Sequence, residues 1–210
     1  MDGTLVDTEP MWLASESELM SRYGYAWTSE DQAHCLGGPL DRVGQYMFDL
    51  AKGVESPQFF TDTLIALTQT HLRDGARLME GAQELMALCE GLSLPMALVS
   101  ASPRVLVDAV LGNLKGHSFE ISVSSDDVAN VKPDPEGYLA AAKFLAVSIE
   151  SCLILEDSAT GVAAASASGG VVVAIPHLVP IENAERVHVI SSVKELSLGK
   201  LQELYAEFIS

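Results

Sequence analysis

At 210 residues with 48% hydrophobic content, the chain is long enough for one core of about 150 residues plus an insertion, or for two small domains. Its 29 acidic and 12 basic side chains give a formal charge of -17, which argues against nucleic acid or an anionic membrane surface as partner, because both are held by basic patches. A small ligand or a cation suits that charge better, and no apolar run reaches the roughly 18 residues that cross a bilayer.

The chain opens on Met1-Asp2-Gly3-Thr4-Leu5-Val6-Asp7, a tight Asp-Gly turn of the kind that forms an active-site loop after a buried strand, although here no strand precedes it. Thr8 is expected to cap a helix running to about Tyr23, where Gly24 stops it. Ser29 with Gln32 resembles a capping box for a short helix ending at Gly37-Gly38, and Pro39 opens another with Leu40, Val43, Met47 and Leu50 on one face. Ser56-Pro57 starts a fourth, so residues 9 to about 77 are expected to be all helical.

Beyond that point strands and helices alternate. Strands are expected at 94–99, 119–123, 152–155, 171–175 and 187–190, with helices at 81–90, 103–114, 134–147, 160–168 and 198–209. Alternation of this kind predicts an α/β fold with a doubly wound parallel, Rossmann-like sheet, whose sites lie at the C-terminal ends of its strands. Cys35, Cys89 and Cys152 are widely spaced in apolar runs, without metal spacing or pairing logic, and read as buried thiols of a reducing cytoplasm.

The polar residues at strand ends are therefore the candidates. Glu156 and Asp157 follow an apolar strand as a pair of carboxylates that a hard cation could balance, and oxygen donors without His or Cys favour Mg2+. A plain N-cap for the following helix, a far commoner feature than a metal site, also explains Asp157 and Ser158, and the two readings are compatible. Ser100, with the amides of Ala101 and Ser102 ahead of Pro103, could hold an anion, or Ser102 could merely cap a helix. Lys132 could supply a fixed positive charge or be an ordinary solvated lysine, and Asp2 on its Gly3-Thr4 turn could be an acid/base group or only a turn residue.

Taken together, Asp2-Gly3-Thr4-Leu5-Val6-Asp7-Thr8-Glu9-Pro10, Val99-Ser100-Ala101-Ser102-Pro103, Lys132-Pro133-Asp134-Pro135 with Tyr138, and Glu156-Asp157-Ser158 with Gly161, Ala164 and Ala165 follow the motif order of the haloacid dehalogenase superfamily. The chain resembles its phosphatase and beta-phosphoglucomutase branch, with a helical cap at 9–77 inserted into a core of 1–8 and 78–210. The resemblance implies a Mg2+-dependent phosphomonoesterase that works through an aspartyl-phosphate on small phosphorylated metabolites, sugar phosphates foremost. Asp2 would be the acid/base, Ser100 and Lys132 would hold the phosphoryl group with Gly3, Thr4, Ala101 and Ser102 around it, and Glu156, Asp157 and the Asp2 backbone carbonyl would bind Mg2+.

One element of the family pattern is not in the 210 residues. The resemblance places a nucleophilic aspartate two positions before Asp2, on a central strand, so the chain as given is expected to be truncated and inactive, with a slot between two strands. Within the cap, Gly37-Gly38-Pro39-Leu40-Asp41-Arg42 resembles the loop that reaches substrate, and Arg42 could meet a distal anion or simply pair with Asp41. A phosphosugar mutase and a silent ligand-binding or partner-binding relative remain as alternatives, and a monomer or weak dimer is expected.

Overall fold

A computed structural model describes the chain except for residues 36–38, 115, 177–179, 182–183 and 210 and the side chains of 207–209. It divides into two compact units, residues 8–76 and a core of residues 1–7 with 77–210. Gly37 and Gly38 lie outside the described residues.

The first unit is built from helices α1 (Glu9–Ser21), α2 (Ser29–Cys35), α3 (Leu40–Leu50) and α4 (Pro57–Arg73). Leu19 and Met20 of α1, Val43 and Met47 of α3, and Phe60 and Leu64 of α4 meet in one core, and Trp12, Tyr23 and Trp27 pack around it rather than forming an open platform. The caps differ from expectation. Thr8 occupies the cap position of α1 in a helical conformation and its side chain makes no capping bond. At α2 the reciprocal pair is Thr28 and Asp31, one residue earlier than Ser29 and Gln32: the Asp31 amide donates to Thr28 Oγ1 at 3.2 Å and the Thr28 amide donates to Asp31 Oδ2 at 2.8 Å. Hydroxyls of Tyr25 and Tyr46 also reach Asp31, which makes the shifted box the better satisfied one.

The core opens on β1 (Val6–Asp7), which pairs antiparallel with β2 (Arg77–Leu78), so the two chain crossings between the units are tied together by a ladder the sequence pattern does not show. There follow α5 (Ala82–Gly91), β3 (Met96–Val99), α6 (Arg104–Asn113), β4 (Phe119–Val123), α7 (Glu136–Phe144), β5 (Leu153–Glu156), α8 (Ala159–Ser168), β6 (Val171–Ala174), β7 (Val187–Val189) and α9 (Leu198–Ile209). All ladders among β3 to β7 are parallel, as alternation with helices requires.

Side chains of β5 and β6 alternate between two apolar clusters. Ile154, Val172 and Ala174 join Tyr138 of α7 and Ala164 and Ala165 of α8, whereas Leu153, Leu155 and Val173 join Leu85 of α5 and Leu201 and Leu204 of α9. Period-two alternation means that these are opposite faces, so helices cover the strands on both sides.

The parallel strands do not form one sheet. They fall into β3-β4 and β5-β6-β7, and a cleft of about 530 Å³ separates β3 from β5. Val171, Val172, Val173 and Ala174 of β6 are at most 2% exposed, whereas Leu153 and Leu155 of β5 and Met96 and Ala97 of β3 are half-buried, because their free edges face this cleft.

Among the described residues no helix is long and apolar enough to cross a membrane. The three cysteines are free thiols, but only Cys35 is buried, contrary to the expectation for all three; Cys89 and Cys152 are half-buried. Burial pushes the Cys35 thiol up to about 12.

Candidate active site

The Asp2-Gly3-Thr4 turn is held by its own backbone. Leu5 and Val6 amides donate to the Met1 carbonyl at 2.8 and 3.2 Å, and the Gly3 amide donates to the Val6 carbonyl at 2.9 Å. Gly3 sits at φ +67, and a Cβ there would overlap the Asp157 carboxylate, so glycine is required both by conformation and by proximity. The closeness has a partner bond: Thr4 Oγ1 donates to Asp157 Oδ1 at 2.8 Å, joining positions 153 residues apart.

At the end of β3, the Ser100 amide donates to the Val123 carbonyl at 2.8 Å, fixing the chain as it leaves the strand. Ser102 Oγ then donates to Asp2 Oδ2 at 2.8 Å, and Ser100 Oγ to the same oxygen at 3.4 Å. Ser102 is thus not the cap of α6. That position belongs to Pro103, and the first helical amide, at Arg104, donates instead to Asp126 Oδ2 at 2.9 Å. The Ser102 amide is engaged as well, by Ser100 Oγ at 3.1 Å, whereas Ala101 is an exposed residue.

Lys132 reaches into the same region from the loop before α7. Its Nζ donates to the Val99 carbonyl at 3.3 Å and to Glu156 Oε1 at 2.5 Å, with both side chains nearly buried. Glu156 is the last residue of β5 rather than the first of the following loop, which turns its carboxylate into the core. Tyr138 completes the group: its hydroxyl donates to Glu156 Oε1, and its ring lies 4.8 Å from Lys132 Nζ. Sequence reasoning noted Tyr138 without giving it a role, and the signal was an aromatic residue that α7 would bury beside a lysine.

The charges settle differently on the two neighbouring carboxylates. Burial pushes Glu156 up, but the Lys132 ammonium, the amino terminus at Met1 and hydrogen bonds from Lys132 and Tyr138 outweigh it, so its pKa lies below the ordinary value. Asp157 is raised: burial dominates, the amino terminus and Thr4 offset part of it, and Glu156 adds repulsion. Asp157 is thus the carboxylate whose charge is least compensated. Burial and the Glu156 charge also push the Tyr138 hydroxyl far above its usual range, so it remains a donor.

Of the sequence candidates, Asp2, Gly3, Thr4, Ser100, Ala101, Ser102, Lys132, Glu156 and Asp157 all belong to the core and are linked by the contacts above. Arg42 belongs to the helical unit, exposed at the start of α3, where its guanidinium donates to the His34 carbonyl at 2.9 Å and its amide to Asp41 Oδ1 at 2.9 Å. Among the described residues no three His, Cys, Asp or Glu side chains gather into a metal-binding group.

Comparison with known proteins shows which family the chain belongs to. The family model for haloacid dehalogenase-like hydrolases matches residues 1–175. The chain belongs to that family.

As a haloacid dehalogenase-like hydrolase, it is 29% identical over 204 residues to hexitol phosphatase B of Escherichia coli K12, covering 96% of this chain and 91% of that protein. Fructose-1-phosphate phosphatase YqaB of the same organism is 27% identical over 170 residues, or 80% of this chain and 89% of that protein. Among solved structures, a haloacid dehalogenase hydrolase of family IA, variant 3, from Entamoeba histolytica superposes with a TM-score of 0.84 at 20% identity, covering 98% of this chain and 96% of that one. The likeness confirms the fold class, an α/β haloacid dehalogenase core with a helical insertion.

Proposed function

We propose that this protein is a phosphomonoester hydrolase of small phosphorylated metabolites, with hexose and hexitol phosphates the first substrates to try. The observation that carries the reading is the Asp2 carboxylate held by Ser102 and Ser100 beside the Lys132, Glu156 and Asp157 cluster. Names of the relatives, both sugar or sugar-alcohol phosphatases, support the substrate class.

In this reading the phosphoryl oxygens are received by Ser100, Lys132, the Ala101 amide and the Gly3-Thr4 turn. A carboxylate nucleophile attacks phosphorus, and the departing alkoxide takes a proton from the Asp2 carboxyl. Asp2, now a carboxylate, takes a proton from water as that water attacks the acyl phosphate, which releases inorganic phosphate and restores the nucleophile. Ser102 keeps the acting oxygen of Asp2 in place.

A divalent cation fits the donor set. Mg2+ is bound through one or two carboxylates completed by water and substrate phosphate, so a cluster of three acids is not required. Asp157, with its incompletely compensated charge, would hold the ion together with the Asp2 carbonyl, and Glu156, whose Oε1 is taken by Lys132 and Tyr138, would offer its Oε2. When bound it supplies positive charge that offsets repulsion between an anionic nucleophile and an anionic ester. Arg42 is proposed to meet a distal anionic or hydroxyl group of the substrate.

The family pattern places the nucleophilic aspartate two positions before Asp2, and turnover is proposed to need a carboxylate there, so the 210-residue chain used alone is proposed to give none. The test compares it with a version extended at the N-terminus by an apolar strand ending in aspartate two positions before Asp2. Phosphate release from a panel of hexose, hexitol and pentose phosphates is measured with Mg2+ and with EDTA. Mg2+-dependent release by the extended version alone is expected. Release by the 210-residue chain would overturn the inactivity, and none by either would overturn the phosphatase reading.

A further inference from the structure

We propose, on the phosphatase reading in which Asp2 moves the proton, that Arg104 and Asp127 are positioning residues for Asp2. They clamp the loop of residues 100–103 to the turn of residues 124–127, and the clamp aims the Ser102 hydroxyl at the Asp2 carboxylate. Neither residue bonds to Asp2 in the contacts described, so each acts through Ser102. Three observations carry this. First, the main chain of Ser102 is fixed on both sides: its amide donates to Ser100 Oγ at 3.1 Å, and its carbonyl accepts from the Ser125 amide at 3.1 Å. With the backbone held, only the choice of side-chain rotamer is left to the hydroxyl, which donates to Asp2 Oδ2 at 2.8 Å.

Second, Asp127 places the Ser125 amide. The 3₁₀ turn Ser125–Asp127 is closed by Ser124, whose amide and hydroxyl donate to Asp127 Oδ2 at 2.8 and 2.6 Å, while the Asp126 amide donates to Ser124 Oγ at 3.2 Å. The same Asp127 oxygen accepts from Arg104 Nη2. One carboxylate oxygen thus joins the turn after β4 to the first residue of α6, which directly follows the loop that carries Ser102.

Third, Arg104 grips the end of β4 at further points. Its amide donates to Asp126 Oδ2 at 2.9 Å, its Nη1 to Ser122 Oγ at 2.7 Å and its Nη2 to the Ser122 carbonyl at 3.0 Å; Asp108 of its own helix lies 3.3 Å from Nη1. A planar guanidinium can meet a carboxylate, a hydroxyl and a carbonyl together, which a single ammonium does poorly. The pair is badly placed to stabilise the fold, because the side chains of Arg104 and Asp127 keep 28% and 41% of their surface in solvent, where an ion pair adds little. It restricts instead how two loops sit against each other, and a small displacement of an acting group is costly in rate.

The test has a kinetic and a structural arm. In the N-terminally extended version, Arg104→Met should lower kcat for a hexose phosphate several-fold, by no more than Ser102→Ala does, with KM changed less than about threefold. Its melting temperature should stay within about 2 °C of the parent. Combined with Ser102→Ala, it should lower kcat by less than about twofold more, because the hydroxyl it aims is already gone. Asp127→Asn, which keeps the shape of the side chain, should behave in the same way and stands in if the Arg104 variant does not fold. In the 210-residue chain, amide hydrogen exchange at Ser125, read by NMR, should become at least about tenfold faster in either variant.

An active extended parent whose kcat neither variant changes, kcat losses that multiply in the double variant, or unchanged exchange at Ser125 would overturn the clamp and leave the phosphatase reading standing. So would a melting temperature about 10 °C lower in both variants, since the pair would then be holding the fold. No phosphate release by the extended parent overturns the phosphatase reading itself, and the catalytic part of the clamp falls with it.

Discussion

The carboxylate of Asp2 accepts a hydrogen bond from Ser102, 100 residues further along the chain, at 2.8 Å. In the proposed acid/base role Asp2 would have to present one oxygen in a fixed place, and the serine hydroxyl would hold it there without adding charge. In the N-terminally extended version, Asp2→Asn is expected to lower kcat by about 10²- to 10⁴-fold, the usual worth of a general acid/base. Ser102→Ala should lower kcat several-fold with little change in KM, and Ser102→Thr should restore it. Steady-state kinetics on one sugar phosphate distinguishes these outcomes.

Lys132 and Glu156 form an ion pair at 2.5 Å with both side chains almost out of solvent. Removing only the cation leaves a buried carboxylate facing Tyr138 without its charge partner. Lys132→Met is expected to destabilise the core by about 3–5 kcal/mol, and adding Glu156→Gln should recover much of that loss. Urea unfolding of the two variants and the parent checks the coupling; additive losses would contradict it.

Gly3 and Gly161 each lie where a Cβ would run into an acid of the site, Asp157 for Gly3 and Glu156 for Gly161. Gly161→Ala must displace the Glu156 carboxylate from Lys132 and Tyr138, and a loss of about 1–3 kcal/mol is expected. Gly3→Ala adds the cost of a left-handed conformation and should lose at least as much. Gly199, where a Cβ would meet only Ser197 Oγ, at 3.9 Å, serves as the control, and alanine there should leave the melting temperature unchanged or slightly raised.

Glu16 in α1 is 6% exposed, and its buried Oε2 finds no hydrogen-bond partner among the described residues. Burial raises its pKa from 4.5 to about 7; the nearby Trp27 indole offsets part of this, while Glu9 and Asp31 add repulsion. An acid whose folded pKa lies above its unfolded value is favoured neutral in the fold. The penalty is therefore absent below the unfolded value, grows between pH 4.5 and about 7, and is complete above that, at roughly 3 kcal/mol. Glu16→Gln should raise stability at pH 8, leave it nearly unchanged at pH 4.5, and flatten the profile between. Thermal melts across that range test it.

Arg42 gives the helical unit its own prediction. If it meets a distal group of the substrate, Arg42→Ala in the extended version should raise KM about tenfold for a substrate carrying that group and leave kcat within a few-fold, the pattern of lost uniform binding. Equal kinetics across the panel would return Arg42 to its contacts with His34 and Asp41.

By itself the sequence determined the helical unit and the alternation of strands and helices, and it singled out the candidate residues that the fold gathers, because these are written in local patterns: apolar spacing, Pro and Gly at element ends, acids and serines just after strands. It was misled where one local signal competed with another. Ser29 and Thr28 both look like caps, and only the tyrosines that approach Asp31 from α3 and from the turn before α2 decide between them. Ser102 reads as a helix cap until the fold brings Asp2 beside it, and Glu156 reads as a loop residue until strand pairing with Ala174 claims it.

Only the tertiary structure decided how the charges are shared. Lys132, Tyr138 and Glu156 are separated by stretches with no pattern that pairs them, and the pairing arises because α7 lies across the end of β5. The same holds for the cleft between β3 and β5. Each strand is locally complete, with the apolar run that a buried strand needs, and whether its two edges find partners is a property of the whole sheet, which no local pattern records.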